Sequence, residues 1–332
     1  NLATRKNQGF RFLGLGLDGG LLIRSLRTAL SSVNRDRKMS TGFTLENTPG
    51  TTAAPLARPP ESMRPDRAEV MTSLGAGVKV EISPGVMFES LVGSQVHARN
   101  LTTGLVTFGP AVRLPYHRHT FGESITLLSG SGTIEVEGRM YHLEPLDNVT
   151  VPRGLAHSAV NRSATQPAVF HISLASDKPS RELVDRYFPR RRMPDDSNGI
   201  PGSEYVTRFK LAKRYSPGPN TQFVDYLNRD LIPGIEMSGG YGLFQPGGRL
   251  PAHLHDFDES ISIVEGEATC IVEGRRYTLS GMATALQPRG RVHYFINQSQ
   301  SPMAMIWVYA GPMPERLVVE EACATAAGNP WR

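Results

Sequence analysis

Phe108-Gly-Pro-Ala-Val-Arg-Leu-Pro-Tyr-His-Arg-His119 returns 136 residues later as Phe244-Gln-Pro-Gly-Gly-Arg-Leu-Pro-Ala-His-Leu-His255. Working outward, the same offset aligns Glu123-Ser-Ile with Glu259-Ser-Ile, Gly130 with Gly266, and Val136-Glu-Gly-Arg with Val272-Glu-Gly-Arg. It continues through Tyr141 and Tyr277, Pro152-Arg-Gly and Pro288-Arg-Gly, and Asn161 and Asn297. An ungapped register over about ninety residues marks a duplication whose unit is one small domain.

Each unit reads as all-β. Short alternating runs are cut by turn signals at Gly130-Ser-Gly132, Glu137-Gly-Arg139 and Pro152-Arg-Gly154, and their counterparts recur in the second copy. Glu137-Gly138 is expected to turn a hairpin, with glycine supplying φ > 0. Strands this short and this closely spaced imply a sandwich or a barrel. Two helices are expected outside the strands, Ser180–Phe188 with Ser180 as N-cap, and Pro314–Ala324.

Of the nine histidines, six keep the register: His117 with His253, His119 with His255, and His157 with His293. Glu123 and Glu259 keep it too, whereas His97, His142 and His171 do not. Residues i and i+2 of a strand share a face, so His-x-His sets two imidazoles side by side. Glu123 or Glu259 can join them from the next strand, and the third histidine arrives after the Pro-Arg-Gly turn. Core packing gives no reason to repeat titratable groups at these four positions alone. Three neutral imidazoles and a carboxylate suit a divalent first-row ion (Fe, Mn, Ni, Co, Cu or Zn), one per unit.

Arg113 and Arg249 stand four residues before the first histidine of each set. On an unbroken strand they would face the metal and could clamp a substrate carboxylate, but Pro115 and Pro251 intervene and favour a solvent-facing arginine. At the same offset His171 meets Trp307, so these two are candidate sites of divergence between the pockets, with core packing or an outward face as the alternative.

The remainder of the chain bounds the function. Its 332 residues suffice for two domains. The net charge of +5 is misleading, because residues 1–38 hold eight Lys/Arg against Asp18 and Asp36 and their +6 leaves −1 for the rest. A nucleic-acid partner is therefore not expected, and no stretch approaches the ~20 apolar residues of a membrane helix. Cys270 and Cys323 lack metal or disulfide-framework spacing, which fits a reduced, cytoplasmic setting. Residues 1–38 read either as a targeting presequence or as translated sequence upstream of Met39, the glycines between Gly14 and Gly20 favouring the second. Residues 39–84 read as an extended or disordered arm.

The chain resembles a bicupin, a pair of cupin barrels in tandem. The first cupin signature, Gly-(x)5-His-x-His-(x)3–4-Glu-(x)6-Gly, is met in full by Gly247, His253, His255, Glu259 and Gly266. The first repeat meets it from His117 to Gly130, with Ala111 in place of the leading glycine. The second signature is met from Pro152 and Pro288 through Asn161 and Asn297, with Leu146 and Met282 replacing its leading glycine. The resemblance implies an all-β fold of two jelly-roll barrels at 85–175 and 221–311, with a helix-bearing linker at 176–220 and a C-terminal helix and tail at 312–332. It implies the eight metal ligands His117, His119, Glu123, His157, His253, His255, Glu259 and His293, with Glu123 and Glu259 as catalytic candidates. Arg113, Arg249, His171 and Trp307 are the candidate substrate contacts. The leading expectation is a dioxygenase acting on a small enolic, diketone or aromatic acid. The alternatives are a non-redox isomerase, lyase or decarboxylase, and a non-enzymatic small-molecule binder. A homodimer is a further expectation from the resemblance.

Overall fold

Runs rich in Val, Ile, Thr and aromatic residues, cut at short intervals by glycine, pair as antiparallel strands because neither period nor length sustains a helix. The computed structural model describes residues 54–313, 315–325 and 330–331, and among these 24 strands make four sheets.

The N-terminal barrel has two facing sheets. One runs β14 (Tyr205–Thr207), β9 (Asn148–Val151), β6 (Glu123–Ser129), β11 (Ala168–Leu174), β4 (Thr102–Phe108), β3 (Val86–Val92), β2 (Val78–Ser83). The other runs β12 (Glu182–Leu183), β5 (Arg113–Arg118), β10 (His157–Asn161), β7 (Gly132–Val136), β8 (Arg139–Leu143), β13 (Arg191–Arg192). The C-terminal barrel repeats the plan. Its first sheet is β1 (Val70–Thr72), β21 (Thr284–Gln287), β18 (Glu259–Glu265), β23 (Met303–Tyr309), β16 (Ser238–Phe244), β15 (Thr221–Leu227). Its second is β20 (Arg275–Ser280), β19 (Glu267–Val272), β22 (His293–Ile296), β17 (His253–Leu254), β24 (Leu317–Val318). Leu127, Ile134 and Phe170 are fully buried in the first core, and Phe244, Ile261 and Met303 in the second. A third apolar cluster, with Leu101, Tyr226, Tyr241 and Ile306, lies between the barrels, where Tyr226 Oη donates to Leu146 O at 2.8 Å.

The expected hairpin is present in both copies. Glu137 and Gly138 have φ of 46° and 88°, and Glu273 and Gly274 have 46° and 87°. Positive φ at both central residues matches the right-handed twist of the flanking strands.

Three expectations need correction. The ungapped register fails after Asn161 and Asn297. The loop that follows is one residue shorter in the second copy: Asn161 Nδ2 donates to Gln166 O, but Asn297 Nδ2 donates to Ser301 O. Trp307 therefore pairs with Gly240 and Ile261, as Ile172 does with Gly104 and Ile125. The counterpart of Trp307 is thus Ile172 and not His171; that of His171 is Ile306.

The helix expected at Ser180–Phe188 is instead an extended strap. Its residues form β12, which pairs Leu183 with His117 and leaves Val184 N donating to Tyr116 O. In the second copy β24 pairs Val318 with His253, and Val319 N donates to Ala252 O. Each strap satisfies the open edge of the His-x-His strand, and those backbone bonds override a favourable N-cap. What helix there is near the C-terminus is α1 (Glu321–Thr325), after β24, and the 176–220 linker holds only a 3-10 turn at Phe209–Leu211.

Of the arm at 39–84, residues 54–84 are described and are ordered, whereas 39–53 and the 1–38 leader lie outside the described residues. Its β1 pairs with β21 of the C-terminal barrel, while β14, which follows the first repeat, pairs with β9 of the N-terminal barrel. β1 and β14 precede the first strands of their own repeats, so the repeats have exchanged them. Each is locked by a buried glutamate just before it. Glu204 binds Arg139 at 2.6 and 2.9 Å and the Tyr141 hydroxyl; Glu69 binds Arg275 at 2.5 and 2.9 Å and the Tyr277 hydroxyl at 2.8 Å.

Candidate metal centres

Each barrel gathers its ligands from three strands. β5 and the residue after it present His117 and His119, β6 opens with Glu123, and β10 opens with His157. β17, β18 and β22 do the same for His253, His255, Glu259 and His293. In each set one ligand atom per residue lies within 4.8 Å of all the others. Glu123 Oε2 is 2.7 Å from His157 Nε2 and 3.2 Å from His119 Nε2; Glu259 Oε2 is 2.9 Å from His293 Nε2 and 3.2 Å from His255 Nε2.

A backbone carbonyl can only accept, so the six Nδ1 contacts fix the histidine tautomers. His117, His157, His253 and His293 each donate Nδ1–H to the carbonyl two residues before them, at 2.6–3.0 Å. His119 and His255 donate to Ser180 O at 2.6 Å and Glu315 O at 2.8 Å, both on the straps. All six Nε2 lone pairs are thereby aimed inward, as a ligating imidazole requires. Burial, followed by the neighbouring His157 ring, pushes His117 down to about 3, and burial, followed by His293, holds His253 well below its usual value. Both are neutral over the physiological range. Burial raises Glu259, but the neighbouring His255 and His293 outweigh it and bring the carboxyl down to about 2. His255 Nε2 is buried 3.2 Å from Glu259 Oε2 without hydrogen-bond geometry between them, and a metal ion would engage both atoms. The residues present fit a divalent transition-metal ion, one per barrel.

The structure does not bring Arg113, Arg249 or His171 to these centres. A register slip between His157 and Ala159, opposite Pro115, changes the phase of β5, so Leu114 shares the inner face with His117. Arg113 points outward, bound to the buried Glu135 at 2.9 and 3.1 Å and to Ser158 Oγ at 3.0 Å. Arg249 pairs with Glu321 at 2.8 Å and stacks on Tyr294, 4.8 Å from the ring centre. His171 lies on the back of its sheet between the barrels, its Nε2 3.1 Å from Ser262 Oγ. Trp307 does face the interior of its barrel.

The two centres have different surroundings. Beside the N-terminal tetrad opens a cavity of about 410 Å³, walled by Val80, Ile82, Phe88, Ile172 and Leu174. Arg181 stands at this cavity and its charge acts on Glu123 and His119. It hydrogen-bonds Ile82 O and has no carboxylate partner among the described residues. The C-terminal tetrad is covered by aromatic rings: Tyr309 lies 4.4 Å from the His255 ring and 5.0 Å from Trp307, and Phe257 lies 5.3 Å from Tyr309. Arg181 and Tyr309 escaped the sequence reading because both lie beyond the shortened loop. The signal was present at an offset of 135, which aligns Pro167 with Pro302, Ala175 with Ala310 and Arg181 with Arg316.

Comparison with solved structures finds the same fold in oxalate decarboxylases. That of Lactobacillus farciminis, as a formate complex, superposes with a TM-score of 0.61 at 16% identity, covering 81% of this chain and 94% of that one. The enzyme from Bacillus subtilis at pH 4.6 gives 0.59 at 15% identity, covering 78% and 81%. Among curated proteins, endoribonuclease YbeY of Myxococcus xanthus (strain DK1622) is 40% identical over 58 residues, 18% of this chain. The chain spans only about a fifth of that relative's length. The family described as Cupin domain matches at 104–174 and again at 240–309, the second match one residue shorter, as the loop after Asn297 requires. Each barrel thus carries one Cupin domain match and one three-histidine, one-glutamate centre, so the chain holds two cupin domains in tandem, the arrangement of a bicupin.

Proposed function

We propose that the chain is a metal-dependent enzyme that acts at its N-terminal centre on a small carboxylate, by decarboxylase or lyase chemistry without net oxidation. Arg181 carries this reading: a cation with no carboxylate partner stands where the apolar cavity meets the tetrad. A guanidinium so placed binds a carboxylate through paired hydrogen bonds. The bound ion would supply a Lewis acid. The aliphatic wall excludes water from the substrate, which favours a charge-dispersed transition state over a hydrated carboxylate. In a decarboxylation, loss of CO2 leaves the bonding electron pair on carbon and one proton completes the product. Glu123, 7% exposed and facing the same space, is a carboxylate proposed to relay that proton from solvent to the carbon.

The fold shared with oxalate decarboxylases supports the class and not the substrate. Oxalate itself is not favoured, because Arg113-Leu-Pro-Tyr-His-Arg-His119 departs from the Arg-Glu-x-His-Trp-His motif expected of those enzymes. The dioxygenase expectation rests on the redox-capable ligand set alone, and no cavity residue adds to it.

Purified protein should contain two metal ions per chain by elemental analysis. A panel of small mono- and dicarboxylates should then yield CO2 without net oxygen uptake. Removing a charge-assisted hydrogen bond costs about 1.5–3 kcal/mol, so Arg181→Ala should raise KM roughly 10- to 100-fold at unchanged metal content. One oxygen consumed per product would establish the dioxygenase class instead. A fully loaded protein that releases CO2 from nothing in the panel would overturn the proposal.

A further inference from the structure

The strand register supplies a residue-by-residue comparison of the two pockets. Leu174 stands opposite Glu123, and Tyr309 opposite Glu259. Ile172 is replaced by Trp307, and Val80, which pairs with Phe88, by Tyr215, which bridges to Phe223. Three aliphatic positions that wall the N-terminal cavity are therefore aromatic in the second barrel, and Tyr309 lies nearest the ligands. It is paired with Glu259 across the sheet, its ring lies 4.4 Å from that of His255, and Trp307 and Phe257 both pack against it at 5.0 and 5.3 Å. Tyr309 and Trp307 are 5% and 4% exposed, and Tyr215 is fixed behind them by a 2.7 Å hydrogen bond to Asp225. Trp307 Nε1 is the one donor of this wall left without an acceptor among the described residues, and a partner no larger than water would satisfy it.

The geometry points to an unequal pair: the C-terminal centre holds its ion behind a closed aromatic wall, excludes ligands larger than water and serves stability, and Tyr309 is the residue that closes it. An ion bound only by the folded state stabilises that state by mass action without meeting a substrate. The inference does not depend on which substrate the N-terminal centre takes.

The test exchanges the two wall residues and reads the metals directly. The full chain is loaded with two equivalents of cobalt(II), and azide is titrated while the visible cobalt band is followed. In the unaltered protein half of the cobalt should respond. Tyr309→Leu should make both ions respond, and Leu174→Tyr should leave neither responding. Removal of the slower-released ion by a chelator should lower the melting temperature more than removal of the faster one. The inference is overturned if both ions respond in the unaltered protein, if fewer than two cobalt ions bind, or if Leu174→Tyr leaves the response at one half. Should Tyr309→Leu fail to fold, Tyr309→Phe keeps the ring, removes only the hydroxyl and should keep the response at one half, and Leu174→Tyr then decides the matter. No turnover is measured, so failure of the proposed activity would leave this result standing.

Discussion

Ala111, Leu146 and Met282 hold φ of 56°, 72° and 69°, close to the 74° of Gly247, in turns where glycine is the unstrained choice. A side chain in the left-handed region costs about 1–2 kcal/mol. Leu146 and Met282 also make contacts that a glycine would lose, but Ala111 is exposed. Ala111→Gly is therefore expected to raise stability by roughly 0.5–1 kcal/mol, after the greater freedom glycine gives the unfolded chain is subtracted. Chemical denaturation reads this directly, and a lower midpoint would show the turn to be unstrained. At this scale the ligands were legible because their chemistry is written in residue identity and repeated at fixed spacing. The outward turn of Arg113 was legible in Pro115, which breaks the phase of β5, but its partner Glu135 and the register slip between β5 and β10 were not.

At the scale of elements, the exchanged strands are pinned by Glu69 and Glu204, the latter fully buried. Burial raises the Glu204 carboxyl, but Arg139 and the Tyr141 hydroxyl outweigh it and keep it below the usual range. Breaking a buried ion pair from one side costs about 3–5 kcal/mol, because the remaining charge loses its partner. Glu204→Gln should approach the lower end of that range, since the amide can still accept one hydrogen bond. Equilibrium unfolding should show the loss, and hydrogen exchange should show β14 opening first. A change within about 0.5 kcal/mol, the range of an ordinary surface substitution, would mean that the glutamate does not hold the strand. The Tyr141 and Tyr277 pair was visible in the repeat, but its purpose was not. The partners lie 63 and 208 residues away in sequence, beyond any local reading. The straps were misread for a related reason: Ser180-Arg-Glu carries a good helix start, and only the unpaired edge of β5 explains why the segment stays extended.

For the molecule as a whole, His171 links acidity to the packing of one barrel on the other. It is 1% exposed, and burial alone brings it down to about 4. Above its unfolded value near 6.5 neither state binds the proton. Between there and about 4 only the unfolded chain takes it up, so stability falls as pH falls through that window. The total amounts to on the order of 3 kcal/mol. His171→Gln should flatten this part of the stability profile relative to the unaltered chain, measured with metal held saturating. An unchanged profile would place the acid sensitivity elsewhere.

The exchanged strands also bear on descent. A barrel that borrows a strand from its twin is not a self-sufficient unit, so either half expressed alone should remain aggregated or molten. After the exchange arose, deleting one copy would have ruined both, whatever either copy did chemically. The duplication thus became a ratchet. A second barrel with a sheltered centre can persist through selection on its sibling, and its interior is then free to drift toward whatever packs best.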